Sequence, residues 1–410
     1  MTALRRNRDY MLLWAGLAVS TLGTRASTAA YPLLVLGQTG SPADAGMVGF
    51  AATVPYLLVQ LPAGVLVDRV DRRRMMLACD AGRALALASL VAALLAGQLT
   101  IGQIAAVAFV EGCLFVFFSL AEHAAVPHVV ENDQLAAALA GNEARGRGAG
   151  MVGPPLGAAM FGLGRAVPFV FDALTYLVSI GTLLGVQRDL QSDRSREPLS
   201  LRHAADEIRE GVAWLVREPF LRDSALLVAG SNFLFQALVL ILIVIARQGG
   251  ATPAEIGLML AGAGVGGLLG SLSAPWLERS VPTGAVVVGA NWVWAVLMVP
   301  VAFTTNIAVL GILFGLMAFV GPAWNVVVGS YQLAVTPDHL RGRVASVETL
   351  VAFGAIPLGS LVAGLTLEAV GSTACVFALA AWMILLAAAA TASPAVRRMS
   401  ARSPVAQPAS

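Results

Sequence analysis

Apolar runs of transmembrane length alternate with short polar breaks from one end of the chain to the other. They fall at 10–36, 44–67, 75–97, 101–121, 141–163 and 168–187, and again at 222–246, 254–277, 283–303, 306–329, 345–368 and 372–393. About 20 apolar residues cross the hydrocarbon layer as a helix, and only a helix satisfies its own backbone groups there. The pattern therefore predicts an all-α membrane protein with twelve transmembrane helices. The long polar break at 188–221 divides it into a six-helix bundle over 1–187, a linker, a second six-helix bundle over 222–393 and a tail over 394–410.

The linker opens as RDLQSDRSREPLS and continues as LRHAADEIREGVAWLVREPFLR. Ile208, Val212 and Leu215 recur there at helical spacing beside Trp214, with charges on the other face. That pattern predicts an amphipathic helix, either on the inner membrane surface or as a solvated connector. Arginine sets the orientation. Arg5, Arg6, Arg8, Arg69, Arg72 to Arg74, Arg145, Arg147, the run Arg188 to Arg222, Arg279, Arg341, Arg343, Arg397, Arg398 and Arg402 fall on one side; Arg165 and Arg247 fall on the other. The first side is then cytoplasmic, with both termini, and the chain is a multi-pass protein of the cell membrane. The first apolar run is too long for a cleaved leader, so it is read as a retained span.

Composition agrees with this reading. The chain is 58% hydrophobic and 12% charged, well above the usual 45–50% apolar share of soluble domains. Its net charge of +2 argues against a nucleic-acid partner, and every basic residue among the 26 is arginine. Cys79, Cys113 and Cys375 lie singly in apolar runs, and His123, His128, His203 and His339 lack ligand spacing, so no disulfide framework or metal site is expected. Without a phosphate-binding loop, a zinc-hydrolase motif or a nucleophile elbow, neither ATP-driven transport nor enzyme chemistry is supported, and no cofactor is expected. GAGVGG at Gly262–Gly267 formally matches a dinucleotide fingerprint, but it lies inside a span with no strand before it. Gly262, Gly266 and Gly270 instead repeat at the spacing that lets another helix approach closely.

The two halves echo each other. DQL at Asp133–Leu135 returns as DHL at Asp338–Leu340, and the spacing from Asp133 to Glu143 equals that from Asp338 to Glu348. PLG recurs at Pro155–Gly157 and Pro357–Gly359, and Asp68–Arg69 has a counterpart in Glu278–Arg279. Ordered echoes of this kind predict two pseudo-symmetric bundles.

Ionisable residues at membrane depth cost roughly 2.5–3.5 kcal/mol each on insertion scales, so each asks for a partner or a task. Arg25 falls near the middle of the first span and Glu111 near the middle of the fourth. They are read as a structural ion pair, a substrate contact or a proton site; a tight pair would exclude Glu111 as the proton carrier. Asp80 and Arg83 stand i, i+3 and can pair. Asp172 is expected to fix helix packing, with proton carriage as the alternative. Glu143 and Glu348, at equivalent inner positions, are expected to partner Arg145, Arg147 or Arg343. The second half offers Asn232 and Gln236, spaced i, i+4, with Trp324, Asn325, Tyr331 and Gln332. Such groups suit an amphipathic organic molecule, or they join helices. Trp292 and Trp294 are expected to face lipid.

The stretch GVLVDRVDRRR resembles the signature Gly-x-x-x-Asp-Arg-x-Gly-Arg-Arg of the major facilitator superfamily, through Gly64, Asp68, Arg69, Asp71, Arg72 and Arg73, with Asp71 in place of the usual Gly. CDAGRAL, VPHVVENDQL, VGPPLGAAM, FDALTYLVS and TPDHLRGRVASV are similar to the branch containing the enterobactin exporter and macrolide efflux proteins. Gly153, Pro154, Pro155 and Gly157 resemble its antiporter signature, with Ala158 replacing the final Gly, and Thr24 stands where related exporters often carry an acid. The resemblance implies the major facilitator fold, with spans 1, 4, 7 and 10 lining the cavity. It implies an inner gate at Asp68, facing the start of span 11 with Arg341 and Arg343, and drawing on Arg69, Arg72, Arg73, Asp80, Arg83, Glu143 and Glu348. It also implies export of small amphipathic compounds by proton antiport with alternating access. A dedicated siderophore exporter, and a non-transporting membrane sensor on the same fold, are the alternatives.

Overall fold

A computed structural model describes residues 4, 6–67, 69–191, 201–337 and 340–399, and no strand occurs among them. Their contacts divide the chain into two compact units, Met1–Leu199 with Thr252–Leu258, and Ser200–Ala251 with Met259–Ser410.

The first unit holds α1 (Arg8–Thr39), α2 (Pro42–Leu58), α3 (Gln60–Val67), α4 (Arg72–Leu95), α5 (Ile101–Val129), α6 (Leu135–Leu163) and α7 (Val167–Gly185). Polar residues start these helices where the apolar runs begin. Asn7, Ser41, Asp71 and Thr100 each accept a hydrogen bond from a backbone N–H of the first turn, which satisfies a donor the helix itself leaves open. Asp71, the departure from the signature glycine, is therefore the N-cap of α4, with Oδ1 3.0 Å from the Arg74 amide. The second predicted span is broken into α2 and α3 at Val59. Pro62 has no N–H to give the Leu58 carbonyl, which removes the hydrogen bond that would carry the helix across.

Within this unit α1 packs on α6 and α7, α2 on α5, and α4 on both α5 and α7. The antiporter-like segment sits at the first of these seams. A Cβ on Gly153 would stand 2.4 Å from the Arg25 Cβ, and one on Gly157 only 2.0 Å from the Ala26 carbonyl oxygen. These two glycines let the α1 and α6 backbones touch.

The second unit contains α8 (Leu201–Arg217), α9 (Pro219–Gln248), most of α10 (Pro253–Ser280), α11 (Thr283–Val301), α12 (Ile307–Val335), α13 (Arg341–Gly354), α14 (Ile356–Ala392) and α15 (Pro394–Arg397). Here α9 and α11 pack on α14, and α11 also packs on α12. The eleventh predicted span breaks into α13 and α14 just before Pro357, and Gly371, at φ 79°, kinks α14 between the eleventh and twelfth spans. The GAGVGG segment packs as its spacing predicts. A Cβ on Gly262, Gly266 or Gly270 would meet the carbonyl oxygens of Gly311, Gly315 and Phe319 at 2.3, 1.9 and 2.0 Å. The linker helix α8 packs on α13: Gly211 lies against the Arg343 backbone, and Glu210 pairs with the Arg343 guanidinium. Leu215 is buried while Val212 is exposed, so only part of the apolar stripe turns inward.

Eight helices among the described residues are long and apolar enough to cross a membrane, the last fusing α13 with α14. The remaining predicted spans fall short by that measure for local reasons. Prolines cut the second, Arg8, Asp9 and Arg25 dilute α1, and Glu143, Arg145, Arg147 and a run of glycines dilute α6.

Candidate functional site

The first unit encloses a polar network at the meeting of α1, α5 and α7. On α1, Thr24, Ser27 and Tyr31 lie on one helical face. On α7, Asp172, Thr175 and Tyr176 do the same. Ser27 Oγ donates to Asp172 Oδ2 at 2.5 Å, and Thr175 Oγ1 donates to Asp172 Oδ1 at 3.2 Å. From α5, Glu111 accepts from the Tyr31 hydroxyl on one carboxylate oxygen and from the Tyr176 hydroxyl, at 3.3 Å, on the other. Tyr176 Oη also lies 3.3 Å from Asp172 Oδ2 and 3.0 Å from Thr24 Oγ1. One phenol thus stands between two carboxyl groups, that of Asp172 fully buried and that of Glu111 half-buried.

Two sequence features allow this approach. A Cβ on Gly23 would lie 2.6 Å from Asp172 Oδ1 and 2.3 Å from Thr175 Oγ1, so glycine admits α7 to α1 at this level. Beneath the network, α4 contributes an ion pair between Arg83 and Asp80, both buried. The Arg83 guanidinium lies between two rings, its carbon 4.5 Å from the Phe118 centroid and 4.4 Å from that of Tyr176. The i, i+3 pairing therefore forms as its spacing predicts, and it supports the shared phenol through the ring face.

Arg25 and Glu111 are not brought together. The oxygens of Glu111 are occupied by Tyr31 and Tyr176, while Arg25 is exposed on α1 beside Gly153. The ion-pair reading is corrected: the two residues share a depth but not a side of α1. Arg25→Gln and Glu111→Gln are accordingly expected to be additive in thermal stability, with a coupling within about 0.5 kcal/mol in a double-mutant cycle on the purified protein. A coupling of 1 kcal/mol or more would restore the pair. Tyr31 and Tyr176 were not singled out by sequence reasoning, although Tyr176 sits inside the FDALTYLVS segment. Asp172 holds α1 to α7 through Ser27 and is also one end of the carboxyl network.

Among the residues expected at an inner gate, Asp68 lies outside the described residues. Arg72 donates to the carbonyls of Ala124 at 2.8 Å and Leu190 at 3.2 Å. Arg73 donates to Leu183 and Leu184 at 3.1 and 2.6 Å, closing the C-terminus of α7, where a cation also meets the negative end of the helix dipole. Glu143 pairs with Arg147 at an exposed 2.8 Å contact, whereas Arg145 pairs with Glu122, an acid of α5 that the sequence reading did not single out. Arg341 donates to the Leu333 carbonyl at 3.1 Å, and the carboxylate paired with Arg343 belongs to Glu210 rather than Glu348, which is half-buried on α13.

In the second unit Asn232 Nδ2 donates to the Ala352 carbonyl at 2.7 Å, and Gln236 Nε2 donates to Ser360 Oγ at 2.9 Å. Gln236 thus joins α9 to α14, as the helix-joining alternative expects, and it is not among the residues that line the cavity described next. Asn232, Trp324 and Asn325 line a cavity of about 120 Å³ together with Trp294. Trp294 is buried and stacked on Trp324, so its expected lipid contact is also corrected; Trp292, 42% exposed, donates to Thr391 Oγ1 at 3.0 Å.

Comparison with known proteins adds three kinds of likeness. Residues 2–408 match the family described as transmembrane secretion effector. The chain is 30% identical to the multidrug efflux pump Tap of Mycolicibacterium fortuitum over 97% of this chain and 98% of that protein. It is 24% identical to macrolide efflux protein A of Streptococcus pyogenes over 88% and 90% of the two chains. The solved structure of the nucleoside transporter NupG shares the fold, with a TM-score of 0.74 at 13% identity over 94% of this chain and 99% of that one.

Proposed function

This chain belongs to the transmembrane secretion effectors, transporters of the major facilitator superfamily, and on that premise we propose that it exports small amphipathic compounds by proton antiport. Alternating access across the cell membrane, with both termini cytoplasmic and bundles over 1–187 and 222–393, completes the reading. Support for export comes from likeness to the efflux proteins named above.

The observation that carries proton coupling is the phenol shared between two acids. A tyrosine hydroxyl has one proton to donate, yet Tyr176 stands 3.3 Å from both Glu111 and Asp172. It can serve one carboxylate fully at a time. Adding a proton to either acid turns that acid into a donor and releases the phenol to the other, which exchanges one hydrogen-bond pattern for a second. No arginine is ion-paired with either acid among the described residues; Arg83, the cation on the Tyr176 ring, is committed to Asp80. A proton is therefore the mobile charge available to this network.

Inside-out proteoliposomes with an acidic, pyranine-containing lumen test the reading. Adding a macrolide outside is expected to raise the luminal pH as substrate enters and protons leave. Macrolide uptake without any pH change would reject antiport while leaving export intact, and an absence of uptake for every amphipathic compound in a panel would reject export.

A further inference from the structure

The cavity of the second unit has chemistry that the proton network does not use. Trp294 and Trp324 stack with ring centroids 5.7 Å apart at 20°, and Phe235 meets Trp294 edge-on at 5.2 Å and 82°. Trp294 is locked in place because its Nε1 donates to the Met317 carbonyl at 2.8 Å. Trp324 is only 2% exposed, and its Nε1–H has no hydrogen-bond partner among the described residues. Ser231, 4% exposed and also lining the cavity, has an Oγ without a hydrogen-bond partner among the described residues. Asn232 and Asn325 complete the polar side, and no charged residue lines the space.

Leaving a buried donor unmade costs about 1–3 kcal/mol, so two such groups at one cavity call for an acceptor from elsewhere. The indole N–H only donates, which excludes a ligand offering donors alone. A volume of about 120 Å³ limits the occupant to something the size of a single ring, since an apolar cavity of about 150 Å³ accommodates benzene. The absence of charge in the lining disfavours an ionised group, and the flat aromatic walls favour a planar one. We infer that this cavity is a ring-anchoring subsite for the exported molecule, taking an uncharged planar ring that carries a hydrogen-bond acceptor such as a ring carbonyl, with Trp324 Nε1 and Ser231 Oγ as donors. The inference rests on the export reading and names the class of molecule for it.

Two probes of the same outline separate ring from acceptor: 2-pyrone, a flat six-membered lactone, and benzene, which has no acceptor. Their binding is measured by equilibrium dialysis against the full chain in lipid nanodiscs, with empty nanodiscs subtracted. The wild-type protein is expected to bind 2-pyrone saturably and about tenfold more tightly than benzene. Trp324→Phe keeps a ring on Trp294 but removes the donor, and should bring the pyrone-to-benzene preference close to one. Ser231→Ala, a smaller change, should lower that preference about threefold. An unchanged preference in Ser231→Ala and in Trp324→Phe, or in Ser231→Ala alone should Trp324→Phe not fold, overturns the assignment. Binding of both probes no greater than to empty nanodiscs overturns it as well. No proton gradient is present in the dialysis, so failure of coupling in the vesicle assay leaves the subsite standing, and loss of the probe preference leaves the coupling reading standing.

Discussion

Glu111→Gln and Asp172→Asn are each expected to reduce substrate-driven proton movement in pyranine-containing vesicles at least about tenfold, a loss of about 1.4 kcal/mol or more in the coupled step. Both substitutions keep the size of the side chain and one acceptor oxygen, so the hydroxyls of Tyr31, Ser27 and Tyr176 retain a partner. What disappears is the group that gains and releases a proton. Exchange of substrate without a gradient is expected to persist, because it requires no net proton movement. Tyr176→Phe separates the two acids without neutralising either, and should lower the number of protons moved per substrate while leaving each acid able to titrate. Full proton flux in both single amide variants would assign coupling to another acid of the chain and remove the shared-phenol mechanism.

The features that could be read in the sequence are those fixed by spacing along one helix. Asp80 and Arg83 pair because i, i+3 neighbours meet whatever surrounds them. Gly262, Gly266 and Gly270 line up because four-residue spacing is also a property of one helix, and that spacing brings them against α12. Contacts between helices were legible only in part. Hydropathy gives the depth of Arg25 and Glu111 but not their rotation about the helix axis, and on an α1 with apolar residues all round nothing marked the face that Thr24, Ser27 and Tyr31 share. The same limit hid the Glu122–Arg145 pair, whose members lie on different helices. Trp294 was assigned to lipid from the expected position of its span, whereas its surroundings are decided by its neighbours, Trp324 and Phe235. The breaks at Pro62 and Pro357 could be seen as prolines, but transmembrane helices tolerate proline often enough that sequence alone does not place a break.

Arg83→Met is the substitution expected to damage the fold most. It leaves Asp80, fully buried, without its counter-charge, and breaking a buried pair from one side costs about 3–5 kcal/mol. In a chain of this size that corresponds to a fall in the unfolding midpoint of about 3–6 °C, read by intrinsic fluorescence of the detergent-purified protein. Arg83→Lys retains the charge but not the planar guanidinium between Phe118 and Tyr176, and should lie between wild type and Arg83→Met. The informative comparison is the double variant Asp80→Asn, Arg83→Met, which buries no charge at either position. Buried pairs pay heavily for desolvation, and Arg83 Nε has no hydrogen-bond partner among the described residues to offset part of that cost. The double variant should therefore unfold well above Arg83→Met alone. A double variant no better than the single would mean that the guanidinium stabilises mainly as a flat spacer between two rings. The same comparison in the vesicle assay separates that role from coupling, since the double variant retains Glu111, Asp172 and Tyr176 but removes the cation beneath the shared phenol.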